Sequence, residues 1–273
     1  MTTSGSARAV DVLRPGCLAD RVALVTGGGS GIGRSTAIEL ARLGAQVVVL
    51  GRRADALEQT RDLCHAHAGG LEVMVVPVDL REFDDVDEAI TAILDRHDRI
   101  DLLVNNAGGQ FVSPAQDITA KGFRAVTRLN LEAPWYLTTQ VAARSMIPHG
   151  YGKVVSITMT PQRGMPFMAH SSAARSAVES LTRTLAAEWG PLGVRLVAVA
   201  PGIVQTEAWG RYGLDPVDVA EVIPLRRLQG PEEIAAMVAF LLSTAGDYVT
   251  GTTIVADGGF NVSGPSAPSG AGR

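Results

Sequence analysis

The stretch Val22–Gly33, VALVTGGGSGIG, decides the fold. Val22-Ala23-Leu24-Val25 is a short unbroken apolar run, as expected of a parallel strand buried on both faces. Glycines follow at once. Gly27, Gly31 and Gly33 allow a sharp turn and a close approach of backbone to ligand, with no Cβ in the way. The next segment reads as a helix over 32–43 that stops at Gly44. Its N-terminus turns free amides and partial positive charge toward the loop, an arrangement that suits a nucleotide pyrophosphate. Strand, glycine turn and helix in this order are the context that gives such a glycine pattern meaning. Thr26, Gly27, Gly29, Ser30, Gly31, Ile32 and Gly33 are therefore candidate cofactor contacts.

Apolar runs that read as strands recur at 46–50, 72–78, 100–104, 153–157, 194–198 and 252–255. Helical segments alternate with them at 54–68, 84–95, 120–146, 171–188 and 232–243, and 203–224 reads as irregular. Alternation throughout means βαβ units: an α/β protein with one doubly wound parallel sheet, covered on both faces. Residues 1–19 read as a flexible arm, 20–262 as the domain and 263–273, rich in Gly, Ser, Pro and Ala, as a disordered tail. Ligands of such sheets bind beyond the carboxyl ends of the strands, so the loops there carry function.

Bulk properties exclude several classes. Of 273 residues 46% are hydrophobic and 19% charged, and the formal net charge is −4 with no basic block, which argues against nucleic-acid binding. Only Cys17 and Cys64 occur, too few for a disulfide framework. No signal-peptide core and no membrane-length apolar run is seen, so a cytoplasmic location without membrane partners is expected. The histidines have no acid or cysteine at ligand spacing, and no metal site is expected.

An acid commonly follows the second strand of a dinucleotide fold and bonds the ribose 2′-hydroxyl of NAD. Here Gly51-Arg52-Arg53 stands in that place. Guanidinium groups attract a 2′-phosphate, so NADPH is expected over NADH. Asp79 and Leu80 close the third strand where an adenine edge would lie, and Asn105-Asn106-Ala107-Gly108-Gly109 follows the fourth.

These residues resemble the short-chain dehydrogenase/reductase family. The likeness runs from Arg21 to Gly259: the TGxxxGxG loop, Asn105–Gly108, Asn130 within Leu129-Asn130-Leu131, Pro201-Gly202 and Asp257-Gly258-Gly259. The resemblance implies a single Rossmann-like domain of about seven parallel strands. It also implies a nicotinamide cofactor held in part by Asn106, Ala107, Gly108, Arg175, Pro201, Gly202 and Val204, and a homotetramer built partly on the helices at 120–146 and 171–188.

One departure bears on the chemistry. The family usually carries a Ser, a Tyr that protonates a carbonyl oxygen and, four residues on, a Lys that lowers the Tyr pKa. Alignment on Leu185-Ala186-Ala187-Glu188 puts Met159, Ser171 and Arg175 in those places. The segments His170–Arg175 and Asn105–Phe111 resemble the enoyl-CoA reductase branch, including trans-2-enoyl-CoA, 2,4-dienoyl-CoA and bacterial cyclohexenylcarbonyl-CoA reductases. That branch reduces a C=C bond conjugated to a thioester, of CoA or another carrier. Hydride addition at the β-carbon puts charge on the thioester oxygen, which calls for hydrogen-bond donors. Ser171 is expected to donate there. Arg175, on the same helix face, is expected to hold the ribose and stabilise the enolate. Thr158 and Thr160 flank the vacant Ser position, His170 is a candidate proton donor near neutrality, and Asn130 completes the candidate catalytic set. Glu179 is expected as an ion-pair partner of Arg175, and Trp209 and Tyr212 as parts of an apolar cover. Reduction of a ketone or imine with a non-standard acid, and cofactor binding without catalysis, remain as alternatives.

Overall fold

Continuous apolar runs leave a strand no polar face, so each must lie inside a sheet. In the computed structural model, which describes residues 13–68, 72–160, 165–207 and 215–262, seven do so. They are β1 (Val22–Thr26), β2 (Gln46–Gly51), β3 (Val73–Pro77), β4 (Leu102–Asn105), β5 (Gly152–Ile157), β6 (Val194–Pro201) and β7 (Thr252–Ala256). The order is β3-β2-β1-β4-β5-β6-β7. Every neighbouring pair is parallel. The chain leaves β1 in one direction and returns to its other side at β4, so the loops after these two strands diverge and leave a crevice.

The helices are α1 (Gly31–Arg42), α2 (Ala54–His67), α3 (Phe83–His97), α4 (Ala120–Thr127), α5 (Ala133–Val141), α6 (Ala169–Trp189), α7 (Pro216–Glu221) and α8 (Pro231–Leu242). Strand side chains alternate between faces. Ala23 and Val25 therefore join one core with Leu40 of α1, Leu57 of α2 and Val238 of α8. Val22 and Leu24 join the other with Ile90 of α3, Leu137 of α5 and Ala186 of α6.

Four expectations change. The helical region 120–146 contains two π-helical turns, Arg128–Glu132 and Ala142–Met146. The first carries Asn130, which is buried. Within 203–224 the turn of helix α7 starts at Pro216, with Asp215 accepting from the Val217 amide as its cap. Within the stretch expected as an arm, residues 13–19 are held against the domain: Leu18 is buried, and its amide donates to Leu43 O at 3.0 Å. β6 extends to Pro201, three residues past the expected end. The tail at 263–273, and Trp209 and Tyr212, lie outside the described residues.

Lys153 of β5 is 2% exposed. Its Nζ pairs with Asp247 at 2.7 Å and donates to the carbonyls of Leu241 (3.3 Å) and Ser243 beyond α8. Burial draws the amine below its usual range, against the pull of Asp247. Lys153→Ala would leave two carbonyls and Asp247 without this donor and open a cavity. It is expected to cost about 2–4 kcal/mol, read as a fall in Tm of the order of 10 °C. An unchanged Tm would contradict the role given to this residue.

Candidate active site

The crevice at the carboxyl ends of β1 and β4 has a volume of about 470 Å³ and is lined by the glycine loop, Gly51–Arg53, Asp79, Leu80 and Asn106–Gly108. Thr26 builds its floor. The buried hydroxyl donates to Val104 O (3.2 Å) and accepts the amides of Asn106 (2.9 Å) and Ala107 (3.0 Å). Asn106 turns its side-chain amide back onto the carbonyls of Thr26 (2.9 Å) and Gly27 (3.4 Å), so it shapes the loop. Gly27 and Gly31 hold φ of 63° and 50°, the left-handed region that glycine enters without strain. A Cβ on Gly33 would strike the carbonyl oxygen of Gly27 and come within 2.8 Å of its carbonyl carbon. The Ser30 side chain does not cap α1. Instead the Gly31 amide donates to a carboxylate oxygen of Glu207 at 3.0 Å, so this helix end already holds an anion.

At the β2 and β3 edge, Arg52 and Arg53 are exposed at the cleft. Asp79 is bound by Arg81 at 2.9 and 2.5 Å. Arg81, with Arg52 contributing, holds its carboxyl below the usual range. Asp79, which lines the cleft with the two arginines, is thus already paired with a cation. Pro201, Gly202 and Val204 do not line this cleft. Pro201 pairs with Ala256 and the Gly202 amide donates to Ala256 O (3.0 Å), placing both beside β7, while Val204 bridges to Gln229 just before α8.

The candidate reaction end lies where α6 starts. Ser171 is fully buried and donates to Gln110 Oε1 at 2.7 Å. Asn130 Nδ2 lies 3.5 Å from Ser171 Oγ, and Met159 Sδ 3.8 Å from it. Asn130 also clamps Gly109, accepting its amide and donating to its carbonyl, both at 2.9 Å. Gln110 is exposed. The expectation that Ser171 itself faces a substrate is therefore corrected: it is covered, and the amide that it holds presents the polar surface.

Other assignments also change. Thr160 donates to Asp257 (2.8 Å), away from Ser171. Thr158 donates to Glu179 (3.1 Å), also lying 3.3 Å from Val199 O. Glu179 thus pairs with a hydroxyl, and burial pushes its carboxyl up. Arg175 instead sends Nη1 to Ile157 O. Its guanidinium packs against Gly108, where a Cβ would collide with Nη2. Burial pushes Arg175 down to about 10, so it stays charged at neutral pH. His170 is fully buried, its ring edge-to-face with Phe111 at 4.2 Å. Its Nδ1 accepts the Ser171 amide at 2.7 Å, and burial lowers its pKa. Burial disfavours the charged ring, which argues against the expected role of proton donor near neutrality.

Three residues at or beside the cleft escape a reading of the sequence: Gln110, Thr206 and Glu207. Gln110 sits in the stretch already singled out, but its contact with Ser171 spans 61 residues. Glu207 meets Gly31 across 176. Among the described residues no group of three His, Cys, Asp or Glu could hold a metal, and no helix is long and apolar enough to cross a membrane.

Comparison with known proteins gives the family of the chain. A family model described as enoyl-(acyl carrier protein) reductase matches residues 27–261. The peroxisomal 2,4-dienoyl-CoA reductase of Danio rerio is 35% identical over 91% of this chain and 84% of its own length. A probable 2,4-dienoyl-CoA reductase of Bacillus subtilis is 37% identical over 88% and 96%. The structure of a citronellol catabolism dehydrogenase from Pseudomonas aeruginosa is 42% identical, covers 92% of this chain and 98% of that one, and superposes with a TM-score of 0.82. The chain belongs to the short-chain dehydrogenase/reductase family of oxidoreductases, which use a nicotinamide cofactor.

The glycine cradle yields a direct check. Gly→Ala inside a helix ordinarily gains about 1 kcal/mol. At Gly33 the backbone collision reverses the sign, with an overpacking cost of about 1–3 kcal/mol. Gly33→Ala is expected to lower Tm and to abolish cofactor binding in a fluorescence titration. Retained binding would contradict the cradle.

Proposed function

We propose that the protein reduces a carbon–carbon double bond conjugated to an acyl thioester, with NADPH as the reductant. The observation that carries this reading is the Gln110–Ser171–Asn130 chain in the place where the family usually has a phenolic acid. Carbonyl reduction needs a proton delivered to oxygen. Conjugate reduction needs charge on that oxygen stabilised while the α-carbon collects its proton afterward. Among the described residues, those at this point offer hydrogen bonds and a fixed positive charge, and none is a phenol. The naming of two relatives as 2,4-dienoyl-CoA reductases supports the same substrate class.

NADPH, when bound, would supply a hydride, and the acceptor would be the β-carbon of an enoyl thioester or the far end of a dienoyl one. Either way the negative charge reaches the thioester oxygen. Ser171 donates to Gln110 Oε1 and so fixes the amide with its NH2 free to donate to that oxygen. Asn130 steadies Ser171 and the Gly109 backbone. Arg175, desolvated and charged, adds a positive field across Gly108. Phe111 and Phe167, 41% and 56% exposed, flank this point and offer apolar surface to an acyl chain. Arg52 and Arg53 line the cleft that would take the 2′-phosphate, and Gly51 precedes them where an acid would oppose it. Assembly as a homotetramer and a cytoplasmic location belong to the same proposal. Phe123 and Trp135, exposed on the 120–146 segment, supply apolar surface for the assembly.

Two measurements test this reading. With an enoyl or dienoyl thioester, Gln110→Ala is expected to lower kcat by about a hundredfold to a thousandfold, as for a lost oxyanion donor. Ser171→Ala is expected to lower kcat by about threefold to tenfold with KM unchanged, the cost of freeing the amide. A larger loss in Ser171→Ala than in Gln110→Ala would contradict the assignment. Separately, kcat/KM is expected to favour NADPH over NADH, and the Arg52→Ala, Arg53→Ala double variant to lose that preference by about tenfold to a hundredfold. A native preference for NADH would overturn the cofactor choice.

A further inference from the structure

The helix end that would receive the cofactor's pyrophosphate is engaged by a side chain of the protein itself. Glu207 lies in the segment after β6, 176 residues from the glycine loop. One carboxylate oxygen accepts the Gly31 amide at 3.0 Å, and the other accepts Nη1 of Arg34 at 3.0 Å. Thr206 packs beside the same glycine, where a Cβ on Gly31 would lie 3.1 Å from its methyl group. α1 has no acid in its first turn and no cap from Ser30, so Glu207 is the anion that satisfies this amide. Arg34 also reaches back to Gly29 O and to Thr60 Oγ1 (3.3 Å), which joins the carboxylate to the rest of the loop.

We infer that Glu207 is an internal competitor for the pyrophosphate subsite. Two phosphates and a carboxylate cannot share the Gly31 amide: the donor is single and the charges repel. Cofactor entry must therefore break both Glu207 contacts and displace the segment that carries it. Part of the intrinsic affinity is spent on that displacement. This rests on the glycine loop being the cofactor site, not on which substrate is reduced. The contact is exposed, with the Glu207 side chain 59% accessible, so the effect is modest.

The test compares wild type with Glu207→Gln and Glu207→Ala by calorimetric titration of NADPH, ADP and adenosine, with no acyl substrate present. Both variants are expected to bind NADPH and ADP about threefold to tenfold more tightly than wild type. Adenosine, which has no phosphate, should bind equally to all three. The Tm of each variant without ligand should be equal to or below that of wild type, so that the tighter binding comes from a freed subsite. Unchanged or weaker binding of NADPH and ADP by the variants overturns the inference. A gain of the same size for adenosine also overturns it, since the effect would then lie outside the phosphates. Failure of wild type and variants alike to bind NADPH, NADH or ADP would instead overturn the cofactor reading beneath it.

Discussion

The hydroxyl of Thr26 holds the two halves of the site together. It sits at the end of β1, gives its proton to β4 and accepts two amides from the loop after β4. This is the position where the winding of the sheet reverses, so the loops on either side would otherwise separate. Asn106 adds a second tie in the opposite direction, from the β4 loop to the carbonyls of Thr26 and Gly27. Gly33 then lets α1 rest directly on the Gly27 carbonyl. Three small or polar residues thus fix a cradle, and the rest of the cleft is assembled around it.

The same β4 loop carries the floor of the cofactor cleft into the reaction end. Gly108 lies against Arg175, Gly109 is clamped by Asn130, and Gln110 meets Ser171. What this chain places there is unusual for acid–base work. His170 is buried and its pKa lowered, Glu179 is taken by Thr158, and Arg175 keeps its proton at neutral pH. Stabilising charge on an oxygen needs oriented donors and a fixed cation. Supplying a proton to that oxygen needs a group placed to reach it, and His170 is packed under Phe111 while Glu179 is held by Thr158.

The fold was legible because its signals are local. Runs such as Gln46–Leu50 have no polar face, and the glycines after β1 stand beside the helix they serve. The cofactor cradle was legible for the same reason. The reaction end was legible only in part. Ser171, Arg175 and Asn130 could be singled out by position, but the orientation of Thr158, Thr160 and Glu179 depends on partners 21 to 97 residues away. The π turn that turns Asn130 inward leaves no mark in hydrophobic spacing. Gln110 and Glu207 look like ordinary polar loop residues until the chain closes on itself.

The central claim is that this site stabilises charge on a thioester oxygen without protonating it. The most direct measurement is NADPH oxidation at about 340 nm, with turnover expected on the ordinary enzyme scale of roughly 1–1000 s⁻¹. Crotonyl-CoA and a 2,4-dienoyl-CoA would be compared with acetoacetyl-CoA under identical conditions. Turnover of an unsaturated thioester, with none of the ketone, is the predicted result. Turnover of acetoacetyl-CoA alone would contradict the account, because a proton donor to oxygen would then have to exist among these residues.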